Sequence, residues 1–402
     1  MSVIALFCGL LLIMLVLQDA FEVVLLPRRV KRRYRFTTAF FAGSWRLWAF
    51  VARLSVAGPA RERFLSIFGP LAMINLFVLW AAGLIVGFGL LQWAIQVVPP
   101  GHPMQTLAKD FYLSGVTFFT LGYGDVTPQG HLAKFAAVGE AGVGFGIIAV
   151  VIGYLPVLYQ LFSRREAHVL QLDARAGSPP TASVLLSRHA EGGGLESLDD
   201  VLRTWESWGA DLLESHLSYP MLAYYRSQHD DQSWLAALAA VLDACALIMV
   251  GVEGAKPLQA RMTFATLRQV VVEMARSLRI GSARGERAII LEPEVYAAMV
   301  ETFAGAGLTW KAGDAVEETL AALRATYVPL LQGMAEYLII PVPGLIPDGD
   351  APDHWDQGPR GLIARRLVEG LTEGTLQVDA PVTSPRRRRS AVGRLRDRLK
   401  DG

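Results

Sequence analysis

The sequence predicts an all-α membrane protein whose apolar N-terminal part is joined to a helical region that reads like a soluble protein. Three observations carry that expectation. Long apolar runs are confined to about the first 165 of 402 residues, so the overall 52% hydrophobic and 19% charged content averages over two unlike halves. Three of those runs reach the ~20 apolar residues that cross a bilayer. Beyond them, apolar residues recur at three- and four-residue spacing, with no alternating strand–turn series.

The first run extends from about Val3 to Leu26, the second from about Leu65 to Val98 and the third from about Leu132 to Phe162. The second is long enough to tilt or to project beyond the hydrocarbon. A shorter run, Thr106 to Phe119, cannot cross alone and predicts a re-entrant helix. The first run lacks the basic start and the small-x-small cleavage site of a secretory signal. It ends in Pro27-Arg28-Arg29-Val30-Lys31-Arg32-Arg33-Tyr34-Arg35, a basic block that stays in the cytoplasm. The N-terminus is therefore expected outside. After two more crossings, the large C-terminal region, which begins with Arg164-Arg165, is expected in the cytoplasm. The protein reads as multi-pass in the plasma (inner) membrane.

Between the basic block and the second span, Trp45, Trp48 and Phe50 alternate with Arg46, Arg53 and Arg61. That mixture suits a helix on the cytoplasmic membrane surface; packing on the soluble-type region is the alternative. Carboxylates near spans are functional candidates. Asp19 and Glu22 are expected at the inner headgroup level beside the arginines. Glu140, about two turns into the third span, is a candidate cavity carboxylate or is hydrogen-bonded behind the preceding loop.

The short apolar run leads into Thr117-Phe118-Phe119-Thr120-Leu121-Gly122-Tyr123-Gly124-Asp125. A potassium ion entering a membrane loses its water, and successive backbone carbonyls aimed at a common axis can replace it. Glycines at alternating positions permit the left-handed conformations this requires. Gly122 and Gly124 flank Tyr123, Thr120 adds a hydroxyl oxygen, and Leu121 and Tyr123 would turn away to brace the loop. If the preceding helix runs inward, its C-terminal end presents partial negative charge to a cation below the loop. One loop makes one wall, so four identical subunits are the simplest closure, and three further copies of the chain are the expected partners.

At these residues the sequence resembles the pore-domain superfamily of potassium channels, in the bacterial-type form with a single pore loop per subunit and no voltage sensor. The likeness covers about residues 65–163 as outer helix, pore helix, filter and inner helix. It rests on TLGYGD, Thr120 to Asp125, placed between two spans after a short apolar helix. It implies a passive potassium-selective channel rather than an enzyme. Thr120, Leu121, Gly122, Tyr123 and Gly124 would coordinate the ions, with Asp125 at the outer mouth. Potassium would be the permeant ion, with no organic cofactor. Two places depart from the family pattern. Tyr112 and Leu113 stand where many members carry a tryptophan pair bracing the filter tyrosine. Val116 stands where some carry a glutamate paired with the filter aspartate. A non-selective cation channel and a membrane-anchored regulatory protein with a non-conducting pore are the alternatives.

The third span carries Gly139, Gly142, Gly144, Gly146 and Gly153 ahead of Pro156. For the glycines, a gating hinge and close packing against the pore helix are both open readings. Pro156 is expected to kink the helix. No span has arginine at every third position, as a voltage sensor requires.

The expected organisation is an N-terminal transmembrane helix with its basic stop (1–35), an interfacial helical segment (36–64), the pore domain (65–163), a linker (164–195), a helical cytoplasmic domain (196–380) and a basic tail (381–402). Ala176-Gly177-Ser178-Pro179-Pro180 and Gly192-Gly193-Gly194 signal loops in the linker. Helical windows follow at Leu195–Leu217, Trp234–Val250, Leu258–Leu278, Pro293–Ala304 and Ala315–Leu338. Gly192-Gly193-Gly194-Leu195-Glu196 does not fit a dinucleotide fingerprint. Cys8 and Cys245 exclude a disulfide framework and read as buried free thiols. His229-Asp230-Asp231 reads as a solvated turn, so no metal beyond potassium is expected. Trp205, Trp208, Trp234, Tyr224 and Tyr225 read as core. A net charge of +1 gives no pointer to nucleic acid. The basic block after the first span reads as a membrane-surface anchor, and for the tail from Arg386 to Lys400 contact with anionic membrane lipid and a solvated, disordered tail are both open readings.

Overall fold

The computed structural model describes residues 2–24, 36–96, 106–191, 194–227, 232–281 and 291–347. The basic block at 28–35, the His229-Asp230-Asp231 turn and the tail at 381–402 lie outside the described residues. Among the described residues the structure is all-α, with one antiparallel bridge between Val252 and Trp310.

Three helices are long and apolar enough to cross a membrane. They are α1 (Ser2–Val24), α3 (Pro59–Ile95) and α5 (His131–Ala176). Between the first two lies α2 (Phe36–Arg53), and between the last two α4 (Leu107–Phe118). Twelve residues of α4 rise only ~18 Å, short of the ~30 Å hydrocarbon layer.

Small residues seat α1 along α3. A Cβ on Gly83 would lie 2.9 Å from Val16, one on Gly87 2.8 Å from Ile13, and one on Gly9 2.7 Å from the Gly87 carbonyl oxygen. Gly83 and Gly87 are four apart, the spacing that lets two helix backbones approach closely in a membrane. Asp19 completes this corner. Its carboxylate accepts from the Thr37 hydroxyl at 2.5 Å and from the Trp80 indole at 2.9 Å, joining α1, α2 and α3. It is buried among these three helices.

The tryptophans of α2 pack inward. Trp45 is 2% exposed and its indole donates to the Tyr337 carbonyl at 2.8 Å; Trp48 stacks on Phe64 with 4.3 Å between ring centroids. Phe41, Trp45, Ala49 and Ala52 form its buried stripe. The aromatic face expected at the membrane surface therefore follows the packing alternative, while Leu47 and Phe50 remain exposed on the other side.

At 46 residues, α5 is about 69 Å long at ~1.5 Å per residue, more than twice the ~30 Å hydrocarbon layer. It continues through Pro156. The stretch expected as a linker is mostly helix. Val169, Leu172 and Ala176 prolong the buried stripe of α5 into the following core, which ends at Gly177 with φ 85°. After that turn comes α6 (Ala182–Glu191).

The remaining helices are α7 (Leu198–Ser218), α8 (Trp234–Val250), α9 (Pro257–Ser277), α10 (Pro293–Gly305), α11 (Asp314–Ala325) and α12 (Val328–Leu338). α5, α6, α7, α9, α11 and α12 pack against α8, whose N-terminus is capped by the Ser233 hydroxyl accepting from the Ala236 amide at 2.9 Å and whose residues Trp234 to Ile248 are all buried. The window at 315–338 divides because Pro329 is tolerated in a first helical turn but not mid-helix. Inside this core Asp243 accepts from Arg324 at 3.0 Å and from the Tyr327 hydroxyl. Trp205, Trp208, Trp234 and Tyr224 are buried, as expected, and so is Cys245; Cys8 departs from expectation by being exposed on α1.

Candidate functional site

The segment after α4 is built from the helix end outward. The Thr120 amide donates to the Thr117 carbonyl at 3.0 Å and the Leu121 amide to the Val116 carbonyl at 2.8 Å, so the loop hangs from the last turn of α4. Thr120, Gly122 and Gly124 then have φ of 55°, 63° and 78°, while Leu121 and Tyr123 between them do not have positive φ. Positive φ is uncommon for a residue with a Cβ, which makes Thr120 the strained member. Uniform strand geometry points successive carbonyls to opposite sides, whereas alternating handedness turns them toward one side. The side chains of Leu121 and Tyr123 are exposed in the single chain.

Asp125 is tied back to α4. The Tyr112 hydroxyl donates to its carboxylate at 2.9 Å. Tyr112, one of the two residues departing from the family's tryptophan pair, thus meets the aspartate beyond the loop.

Behind the segment the three helices are joined by buried and half-buried polar groups. Gln96 donates to Asp110 at 2.8 Å, Gln92 to the Ala133 carbonyl at 3.1 Å, and the Ser114 hydroxyl lies 2.7 Å from the Ile85 carbonyl. Glu140 is fully buried and hydrogen-bonded to Ser114. Its cavity-facing reading is corrected: with no exposure in the single chain it cannot line a cavity, because the close approach of α5 to α4 buries it between them. That approach runs through Gly144, where a Cβ would fall 2.1 Å from the Phe118 carbonyl oxygen. The other glycines behave differently. A Cβ on Gly139, Gly142, Gly146 or Gly153 would meet nothing within 4 Å, and Pro156 is exposed on the same stretch.

Below the membrane-length portion, α5 is gripped by the segment between α7 and α8. The buried Arg165 donates to the Leu222 carbonyl at 3.0 Å, to the Tyr225 carbonyl at 2.6 Å and to Glu166 at 2.9 Å, with its guanidinium 5.3 Å from the Phe162 ring centroid. His216 Nε2 lies 3.3 Å from Arg165, and its Nδ1 lies 2.8 Å from the Leu212 carbonyl. Burial first, and then the Arg165 cation, push the His216 pKa down to about 3. The ring is therefore neutral, donating from Nδ1 and accepting at Nε2. Tyr225 packs so tightly on α3 that a Cβ on Gly69 would lie 2.8 Å from its ring. Next to it, Arg226 pairs with Glu62 of α3 at 2.6 Å and donates to the carbonyls of Leu338, the last residue of α12, and of Ile339 just beyond it.

An ion channel family model matches residues 75–160, the stretch holding most of α3, all of α4, the alternating-φ segment and the first thirty residues of α5. The chain belongs to the pore-domain ion channel family. Protein LctB of Geobacillus stearothermophilus is 33% identical over 95 residues, covering 20% of this chain and 70% of LctB. Protein LctB of Bacillus caldotenax is 34% identical over 97 residues, with the same shares. The membrane protein YdjJ of Bacillus subtilis is 25% identical over 197 residues, 47% of this chain, and the chain spans 56% of its length. No solved structure matches the chain. Residues 75–160 thus form an ion channel region, in a chain with three helices long and apolar enough to cross a membrane.

Several residues that shape the site escaped sequence reasoning. The four-residue spacing of Gly83 and Gly87 is a readable signal for helix contact. Gln92, Gln96 and Ser114 offer only a weaker one, polar side chains within apolar runs. Arg165 reads as one half of a basic topology marker and turns out to be a buried structural cation.

Proposed function

We propose that four copies of the chain enclose a potassium-selective pathway, conducting passively through Thr120, Leu121, Gly122, Tyr123 and Gly124 and gated at α5 by the helical region beyond it. The observation that carries this reading is the alternation of left-handed φ at Thr120, Gly122 and Gly124. It favours a row of main-chain oxygens on one side, the ligand set that a dehydrated potassium ion needs. No reaction is catalysed, and no organic cofactor or further metal takes part. Asp125 stands at the outer mouth, restrained by Tyr112.

The exposed apolar side chains of Phe119, Leu121, Tyr123, Phe135, Phe145 and Ile152 supply surface for three further copies. Gly139, Gly142, Gly146, Gly153 and Pro156 follow one another at three-, four- or seven-residue spacing on the uncovered face of α5. That placement suits residues that move at a gate. The N-terminus lies outside and the C-terminal region in the cytoplasm. The domain boundaries follow the sequence-based division, except that the helical region begins within α5. The basic segments meet anionic lipid at the plasma membrane.

Flux through full-length protein in liposomes tests the reading. Potassium flux well above sodium flux is expected, with loss of both in an assembled Gly122→Asp variant. Comparable fluxes would identify a non-selective cation channel, and no flux a non-conducting membrane-anchored protein. A monomeric mass would overturn the fourfold pathway.

A further inference from the structure

We propose that Ser114 and Glu140 are a positioning pair that fixes the filter against α5, so that the pair controls how long the filter remains conducting and how well it rejects sodium. The proposal rests on the potassium channel reading and adds to it a control point outside the filter itself.

Both side chains have no exposure, and they belong to different helices. The Ser114 hydroxyl sits within reach of two acceptors, the Ile85 carbonyl of α3 at 2.7 Å and the Glu140 carboxyl of α5. One small side chain on α4 therefore ties all three helices at a single point. One turn further along, the same two helices touch again where Gly144 meets the Phe118 carbonyl. Ser114 and Phe118 are four apart, as are Glu140 and Gly144, so the contacts are successive rungs along one helix–helix seam. The upper rung is polar and directional, and the lower one is steric.

The filter hangs from this stretch of α4. Val116 and Thr117, which hold Leu121 and Thr120, lie between the two rungs. A shift of α4 along α5 would therefore move the first two filter residues directly. A carboxyl group is a costly occupant for a buried membrane site, and an apolar side chain would fill the space more cheaply if packing were its whole role. What Glu140 adds is direction. A hydrogen bond admits one register of α4 against α5, whereas apolar packing admits several.

The test compares Glu140→Gln, Glu140→Leu and Ser114→Ala in full-length protein, first by assembled mass and then by potassium and sodium currents in planar bilayers. Glutamine retains the polar link and is expected to match the parent in potassium-over-sodium preference and in persistence of current. Glu140→Leu and Ser114→Ala are expected to assemble, with current that decays roughly 2- to 10-fold faster, the scale set by loss of one hydrogen bond. Their sodium rejection should also be weaker. Unchanged decay and preference in an assembled Ser114→Ala protein would overturn the proposal, even if Glu140→Leu failed to assemble. A parent protein that passes no cation would overturn the channel reading itself. A conducting parent with indifferent variants would overturn only the role of this pair.

Discussion

Gly144 rests on the Phe118 carbonyl with no space for even one methyl group, since a Cβ there would lie 2.1 Å from the oxygen. That contact sets the distance between α4 and α5. Gly144→Ala should destabilise the assembled protein by ~1–3 kcal/mol, the usual cost of overpacking. Gly142→Ala, which meets open space, should leave folding within ~0.5 kcal/mol of the parent. Thermal melting of the detergent-solubilised protein checks the contrast.

Arg165 holds two main-chain carbonyls and the face of Phe162 at once. Arg165→Leu leaves Leu222 and Tyr225 with unpartnered oxygens and should cost ~2–4 kcal/mol. Arg165→Lys should recover only part of this, because an ammonium cannot reproduce the planar fork. Hydrogen exchange across residues 219–227 is the readout, with faster exchange expected in both variants.

Asp243 and Arg324 form a buried ion pair that Tyr327 completes. Asp243→Ala strands the Arg324 cation and should cost ~3–5 kcal/mol. The double variant Asp243→Leu with Arg324→Leu should be the more stable of the two, since neither charge is then buried alone. Chemical denaturation of the two variants beside the parent measures the difference.

His216 makes stability depend on pH. Its folded pKa is depressed from 6.5 to about 3, so the unfolded chain takes up a proton that the folded chain refuses. The contribution is complete above the unfolded pKa and is lost as pH falls from about 6.5 toward 3. Between pH 7 and 5 the loss from this residue should be about 2 kcal/mol. Burial lowers the pKa of His189 as well, which adds in the same direction. The parent should therefore lose denaturation midpoint between pH 7 and 5, and His216→Gln should lose less.

The three long apolar helices, the short helix between the last two and most of the C-terminal helices were legible because each announces itself within its own stretch of chain. The window at Trp234–Val250 coincides with α8, and a run as short as Thr106–Phe119 can be judged by length alone. The alternating glycines likewise signal an unusual backbone at 120–124, although nothing local marks Thr120 as taking positive φ itself. What could not be read are pairings made between distant stretches. Asp19 finds Thr37 and Trp80, and Glu140 finds Ser114, only once the helices are placed. Local reading paired Asp19 with the arginines that follow it in sequence and gave no sign of Thr37 or Trp80 as partners. Arg165 was obscured in the same way, as its carbonyl partners lie 57 and 60 residues further along. Residues 164–176 were assigned to a linker because the loop signals at 176–180 and 192–194 follow them, yet their apolar stripe continues that of the preceding helix.

The unbroken run of α5 leaves no slack between its two ends. Phe145 and Arg165 belong to one rod, and successive residues on that rod differ by ~100° about its axis. A torque applied where Arg165 is clasped travels through continuous helix toward the glycine-bearing stretch, and Pro156, which lacks a backbone donor, is the place on the way where bending costs least. A single residue inserted between them would turn one end by ~100° relative to the other. A change in length between Gly153 and Arg165 would therefore alter the facing of the two ends as well as their separation.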